Sequence, residues 1–256
     1  MTRLPRALAA FASTLLLFTF GCGDVTSTTG EEGNIRYALH TDYDSHEDDL
    51  TTVGILTGHP QRLTTSLTDQ GEGQVDDPAS LEHSVSPSEG CTLELVQVDD
   101  EVADFLVTAT TPGEYTFESN LDGELFDRIT LTFDAPATLE LQTWIRNPGD
   151  EEFTSASGIR SPVEEGAQAT FVLVPLGTDG ARLAGDLQTT WSADPHWAVV
   201  AGENVLGVYE QQVWSASNPF SLYFIEPGDV AVTIADPVNA LEATADFVVS
   251  PVDTGE

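Results

Sequence analysis

The chain has 256 residues, with 43 Asp and Glu against eight basic residues, all Arg, giving a formal net charge of −35. That balance excludes a protein built to hold DNA, RNA or an anionic lipid surface through its side chains, since those partners need a basic footprint. Apolar residues make up 40% of the sequence, enough to build ordinary cores, so wholesale disorder is excluded as well.

Residues 1–21 read as an export signal. Arg3 and Arg6 form a short basic segment, and Ala7 to Phe20 carries no charge. That run is too short to cross a bilayer, which takes about 20 apolar residues, but suits a secretory h-region. The segment closes on Thr19-Phe20-Gly21-Cys22-Gly23-Asp24, whose Gly21-Cys22 resembles the end of a bacterial lipobox; Thr19 and Phe20 depart from its usual Leu and small residue. The resemblance implies that Cys22 becomes the diacylated first residue of the mature chain. With Gly23 where an inner-membrane retention Asp would sit, it also implies an outer-membrane lipoprotein held by its lipid. Residues 22–34, rich in Thr, Ser, Gly and Glu, are predicted to be a flexible tether.

The stretch His40-Thr41-Asp42-Tyr43-Asp44-Ser45-His46-Glu47-Asp48-Asp49 follows. On a straight strand, same-face neighbours lie about 6.6 Å apart, too far to share one ion. A coiled loop can gather Asp42, Asp44, Asp48 and Asp49 around Ca²⁺, a hard cation that takes oxygen ligands. A solvated acidic loop is the competing reading. Further acidic runs at Asp76-Asp77, Asp99-Asp100-Glu101, Asp150-Glu151-Glu152 and Glu164-Glu165 sit beside turn residues, the third expected near the domain junction. Cys91 begins a strand-like segment and is expected to be a buried small apolar side chain.

From there the apolar residues recur with period two, as in Tyr115 and Phe117, Ile129, Leu131 and Phe133, and Val230, Val232 and Ile234. Gly, Pro, Asp and Asn clusters separate the runs, and nothing after the signal sustains a helical period. The mature protein is predicted to be all-β. Leu106 to Phe117 and Leu222 to Val232 each read as strand, Pro-Gly-acid turn and alternating strand; Leu81 to Pro87 aligns more weakly with Leu187 to Ala193. Two tandem units of about one hundred residues fit immunoglobulin-like β-sandwiches, over 35–135 and 136–256. Ala169 to Val174, the Asp179-Gly180 turn, Thr190-Trp191-Ser192 and Pro227-Gly228 together resemble a bacterial immunoglobulin-like domain. The resemblance implies a cell-surface module and no particular chemistry.

Trp191 is predicted to fill the second core, and Tyr115 to lock its turn by bonding back to main chain. Trp144, Trp197 and Trp214 are read first as packing residues, with Trp197 and Trp214 the candidates for ligand contact. No nucleophile elbow, zinc-binding His motif or phosphate-cradling loop occurs, so no enzyme is predicted. The expected function is a lipid-anchored envelope protein that binds, adheres or spaces, with no nucleic-acid partner and no obligate cofactor. The alternatives are a Ca²⁺-stabilised adhesin and a carbohydrate-binding or hydrolase-associated accessory.

Overall fold

A computed structural model describes residues 24–41, 49–75, 78–98, 102–156, 161–194, 198–200, 214–217 and 220–251. The described residues are built from strands, with one short α-helix, α1 (Asp69–Glu72), capped by the Thr68 hydroxyl, and a 3-10 turn at Pro78–Ser80. The first domain comprises β1 (Asp24–Thr29), β2 (Ile35–Thr41), β3 (Gly54–Leu56), β4 (Gln61–Leu67), β5 (Glu82–Ser86), β6 (Cys91–Val98), β7 (Val102–Ala109), β8 (Gly113–Leu121) and β9 (Glu124–Asp134). The second comprises β10 (Thr138–Arg146), β11 (Thr154–Ala156), β12 (Ser161–Glu164), β13 (Gln168–Leu176), β14 (Leu183–Ala184), β15 (Gln188–Asp194), β16 (Ala198–Val200), β17 (Trp214–Ser217), β18 (Phe220–Phe224), β19 (Gly228–Asp236) and β20 (Leu241–Ser250).

Each domain is a two-sheet sandwich, and the two share one topology in all but their edge strands. The first domain pairs β1-β2-β4-β7-β6 across from β14-β3-β9-β8-β5; the second pairs β11-β10-β13-β18-β16 across from β12-β20-β19-β15-β17. Thus β2, β4, β7 and β6 correspond to β10, β13, β18 and β16, while β9, β8 and β5 correspond to β20, β19 and β15. A short strand in each domain, β3 or β12, runs parallel to the last strand. These are two tandem immunoglobulin-like sandwiches. The repeat read in the sequence falls on equivalent strands, β7 and β8 in one copy and β18 and β19 in the other.

Period-two alternation builds both cores. In β8 the buried apolar residues are Tyr115 and Phe117, and in β19 Val230, Val232 and Ile234, alternating with exposed or half-exposed neighbours. Trp191 is 2% exposed, with its indole stacked 6.0 Å from the Phe220 ring, which in turn stacks 5.2 Å from Phe171. The Tyr115 hydroxyl donates to the Thr111 carbonyl at 3.0 Å, closing the turn between β7 and β8 as a tyrosine corner. Cys91 is buried in the first core, and burial pushes its thiol up to about 11, so it packs as a small hydrophobe.

The predicted tether over 22–34 is not one across its described part. Residues 24–29 form β1, in antiparallel register with β2 from Asp24↔Thr41 to Thr29↔Arg36. The turn that follows is held by a distant carboxylate. Asp127 Oδ2 accepts from the backbone N–H of Asn34 at 2.8 Å and Ile35 at 2.6 Å, while Oδ1 accepts from Glu32 at 3.0 Å and Arg128 at 2.7 Å. Asp127 has no exposed area, and its amide donors offset the cost of burying it. Gly30 is required by close approach, because a Cβ there would run into this carboxylate.

Trp191→Ala is expected to cost about 3–5 kcal/mol, the usual loss for a buried Trp truncation, seen as a lowered Tm in calorimetry. Tyr115→Phe, which deletes the hydroxyl's contacts with both the carbonyl and Oγ1 of Thr111, should cost about 1–2 kcal/mol.

Candidate functional site

The two domains meet without a linker of any length: β9 ends at Asp134 and β10 starts at Thr138. The ends of β3, β7, β9, β13 and β19 and the starts of β4, β10 and β15 converge there. The second domain adds a strand to the first, since β14 lies parallel to β3 with Leu183 opposite Gly54 and Ala184 opposite Ile55. The side chains cross over as well. Leu56, from the first domain, is fully buried in the second core beside Leu183 and Leu187; Ala184, from the second, lies in the first core. Gly54 permits this approach, for a Cβ there would come within 2.9 Å of a Leu183 methyl.

Around the exchanged leucines runs a buried polar seam. His59 and Asp236 have no exposed side-chain area, and His59 Nε2 lies 2.9 Å from Asp236 Oδ1. The other ring nitrogen, Nδ1, faces the backbone N–H of Gln188 at 3.4 Å and accepts from it. Nε2 therefore carries the proton donated to Asp236. Asp236 also accepts from the backbone N–H of Val238 and Asn239 and from Asn239 Nδ2. Burial alone raises the Asp236 carboxyl, but the hydrogen bonds from His59 and Asn239, together with the nearby His59 ring, outweigh it and hold the group below the ordinary carboxylate value.

Gln61 is the second link. Its Oε1 accepts from the Asp186 N–H at 2.6 Å, and its Nε2 reaches the carbonyls of Asp186 and His59, both at 3.3 Å. Asn239 Nδ2 approaches the Thr57 carbonyl at 3.5 Å. Gly58, at φ +87°, turns the chain against Val238, where a side chain would collide. With His59, Gln61 and Asp236 fully buried, the seam suits the fixing of an interdomain angle.

The residues singled out from sequence are not brought together here. Cys22, Asp42, Asp44, Asp48 and Trp197 lie outside the described residues. Asp49 is described: its Oδ1 accepts from the amide and hydroxyl of Thr51, bonds that hold its carboxyl below the usual value. The backbone of Trp214 belongs to β17, in register with Trp191 of β15 at the edge of a sheet. Asp150-Glu151-Glu152 does not adjoin the junction. β10 starts there and runs nine residues away, about 30 Å, so these acids cap the far end of the second domain. Among the described residues no group of three or more His, Cys, Asp or Glu side chains is arranged to hold a metal ion.

One pair has the contacts of a nucleophile and its base: Ser119 Oγ lies 2.9 Å from His83 Nδ1. Ser119 is 1% exposed, and the Tyr37 hydroxyl lies 3.5 Å from the same oxygen. The His83 ring packs edge-on to Phe105, and burial lowers its pKa to about 4. The buried Ser119 and the half-buried His83 pack between β5 and β8, where the two residues lie in register.

No protein-family model matches the sequence, and no curated protein matches it. Solved structures do. The adhesin InvE of Yersinia pseudotuberculosis aligns over 86% of this chain and 61% of its own, at 13% identity and TM-score 0.30. Domains 5–6 of the S-layer protein SbsC align over 89% and 100%, at 9% and 0.31. The Escherichia coli adhesin FdeC aligns over 77% and 61%, at 16% and 0.26. The chain thus spans about three fifths of each adhesin fragment. These scores carry no argument beyond the β-sandwich topology already described.

His59→Ala removes a donor from a buried carboxylate and opens a cavity, so it is expected to cost about 2–4 kcal/mol and to split one calorimetric transition into two. The seam also predicts an acid limit. Because the folded Asp236 carboxyl is depressed, its contribution is complete above the unfolded value of about 3.9 and is lost as pH falls through the lower folded value. Below about pH 4, wild-type Tm should therefore fall more steeply than that of Asp236→Asn; equal slopes would remove the seam from the account.

Proposed function

We propose that the protein is a lipid-anchored, non-enzymatic module of the cell envelope that presents two immunoglobulin-like domains at a fixed mutual angle, for spacing or adhesion. The observation that carries this reading is the stitched junction. An exchanged Leu56 and Ala184, an added parallel strand and a buried His59–Asp236 contact make two domains into one stiff body. Stiffness across a domain boundary serves reach and presentation, and the buried polar groups are employed in holding it. The Gly21-Cys22 ending and the excess of 43 acidic over eight basic residues support the anchor and a solvated, mutually repelling surface.

Small-angle scattering tests the stiffness: wild type should give one narrow distribution of interatomic distances, and the double variant His59→Ala/Gln61→Ala a broader one. The anchor and address are tested on cells. Intact mass should show diacylglycerol on Cys22, lost in Cys22→Ser, and protease added to intact cells should remove the domains. Protection until the outer membrane is opened would instead make the protein a periplasmic spacer.

A further inference from the structure

The position of β1 bears on how an anchored molecule meets its membrane. β4 begins at Gln61, bound to Asp186 of the second domain, and runs away from the junction. β2 is antiparallel to β4, with Ile35 opposite Leu67 and Leu39 opposite Leu63, so it runs toward the junction and ends beside it at Thr41. β1 is antiparallel to β2, with Asp24 opposite Thr41. The described chain therefore starts at the waist of the molecule, where the domains join, and not at either pole.

Between Cys22 and Asp24 the chain reaches at most about 7 Å. On either side of the waist a domain extends by the length of its long strands, β9 with 11 residues and β20 with ten, about 35 Å each. A molecule so attached cannot stand on a pole, because one entire polar-surfaced domain would be driven into the bilayer. We propose that the pairing of β1 with β2 seats the lipid anchor at the waist and lays both domains along the bilayer surface; this rests on the reading that Cys22 carries the lipid.

The same geometry makes β1 a stowed tether. It is an edge strand, held by its ladder to β2 and by Arg36, whose guanidinium donates to Ser27 Oγ at 2.7 Å. Detachment would stop at Gly30, because the turn beyond is clamped through Glu32, Asn34 and Ile35 to Asp127. That turn lies at the opposite pole of the first domain. A freed β1 would lengthen the tether by its six residues, about 20 Å, and move the attachment to that pole, so the molecule could rise. The ladder between β1 and β2 thus selects between two poses.

Neutron reflectometry on supported phosphatidylcholine bilayers, loaded with the full lipidated chain from its membranes, reads the pose as protein-layer thickness. Wild type should give a layer about one domain thick. Ser27→Pro/Thr28→Pro, which breaks the ladder at both hydrogen-bonding parities, should give a layer about twice as thick. As a second variant that keeps the strand, Ser27→Cys/Ala38→Cys joins two opposed residues by a disulfide and should match wild type. A lipidated wild type thicker than the oxidised disulfide variant would overturn the inference while leaving the anchor intact. Wild type recovered without lipid on Cys22, and forming no layer, would overturn the anchor reading and this inference with it.

Discussion

The contact between His59 and Asp236 is the constraint around which the molecule is arranged. An ionised carboxylate with no exposed area is tolerated only when nearly every lone pair meets a donor. Asp236 finds its donors on both sides of a domain boundary: the imidazole from the first domain, and the amides of Val238 and Asn239 and the Asn239 side chain from the second. Pulling the domains apart removes the imidazole and leaves the charge short of a partner in a site that water must then enter. The exchange of Leu56 and Ala184 between cores acts in the same direction by a different force, since separation would expose both.

A chain so poor in cations solves its buried-charge problem with amides. Asp127 and Asp236 are the two carboxylate residues with no exposed area among the described residues, and neither is paired with Arg. Asp127 is satisfied by four backbone N–H groups; Asp236 by amides and one imidazole. The guanidiniums themselves stay exposed: Arg128 meets an exposed Glu31, where water screens the attraction, while Arg62 reaches down to the buried Asp104. Neither reaches the two fully buried carboxylates of the fold. Its electrostatic organisation lies in oriented main-chain dipoles.

The parts legible in the sequence are those set by local pattern. Alternation in β8, β9 and β19 announces strands with one buried face, and Trp191 and Tyr115 take the core and corner positions that their local sequence suggests. The junction was not legible, because its partners are far apart: His59 and Asp236 by 177 residues, Gln61 and Asp186 by 125. Nothing local in Gly58-His59-Pro60 or Asp236-Pro237 records the other half. Strand β14, two residues long, carries no periodicity at all. The tether reading failed on composition. Val25, Thr26, Thr28 and Thr29 are polar enough on average to suggest a solvated linker, yet β-branched enough to extend, and the clamp at Asp127 lies more than ninety residues downstream. For the acids at 150–152, nearness in sequence to a domain boundary says nothing once a nine-residue strand intervenes.

The parallel pairing of β12 with β20 has a mechanical corollary. Ser161 to Glu164 lie in register with Phe247 to Ser250, and β20 runs toward the pole farthest from the junction. A load drawn between the junction and that pole acts along these strands and not across them. Hydrogen bonds pulled lengthwise share the load and must yield together, whereas a ladder opened from one end yields a rung at a time. The second domain is thereby built to bear tension along its axis, and it should tear far more readily when pried sideways.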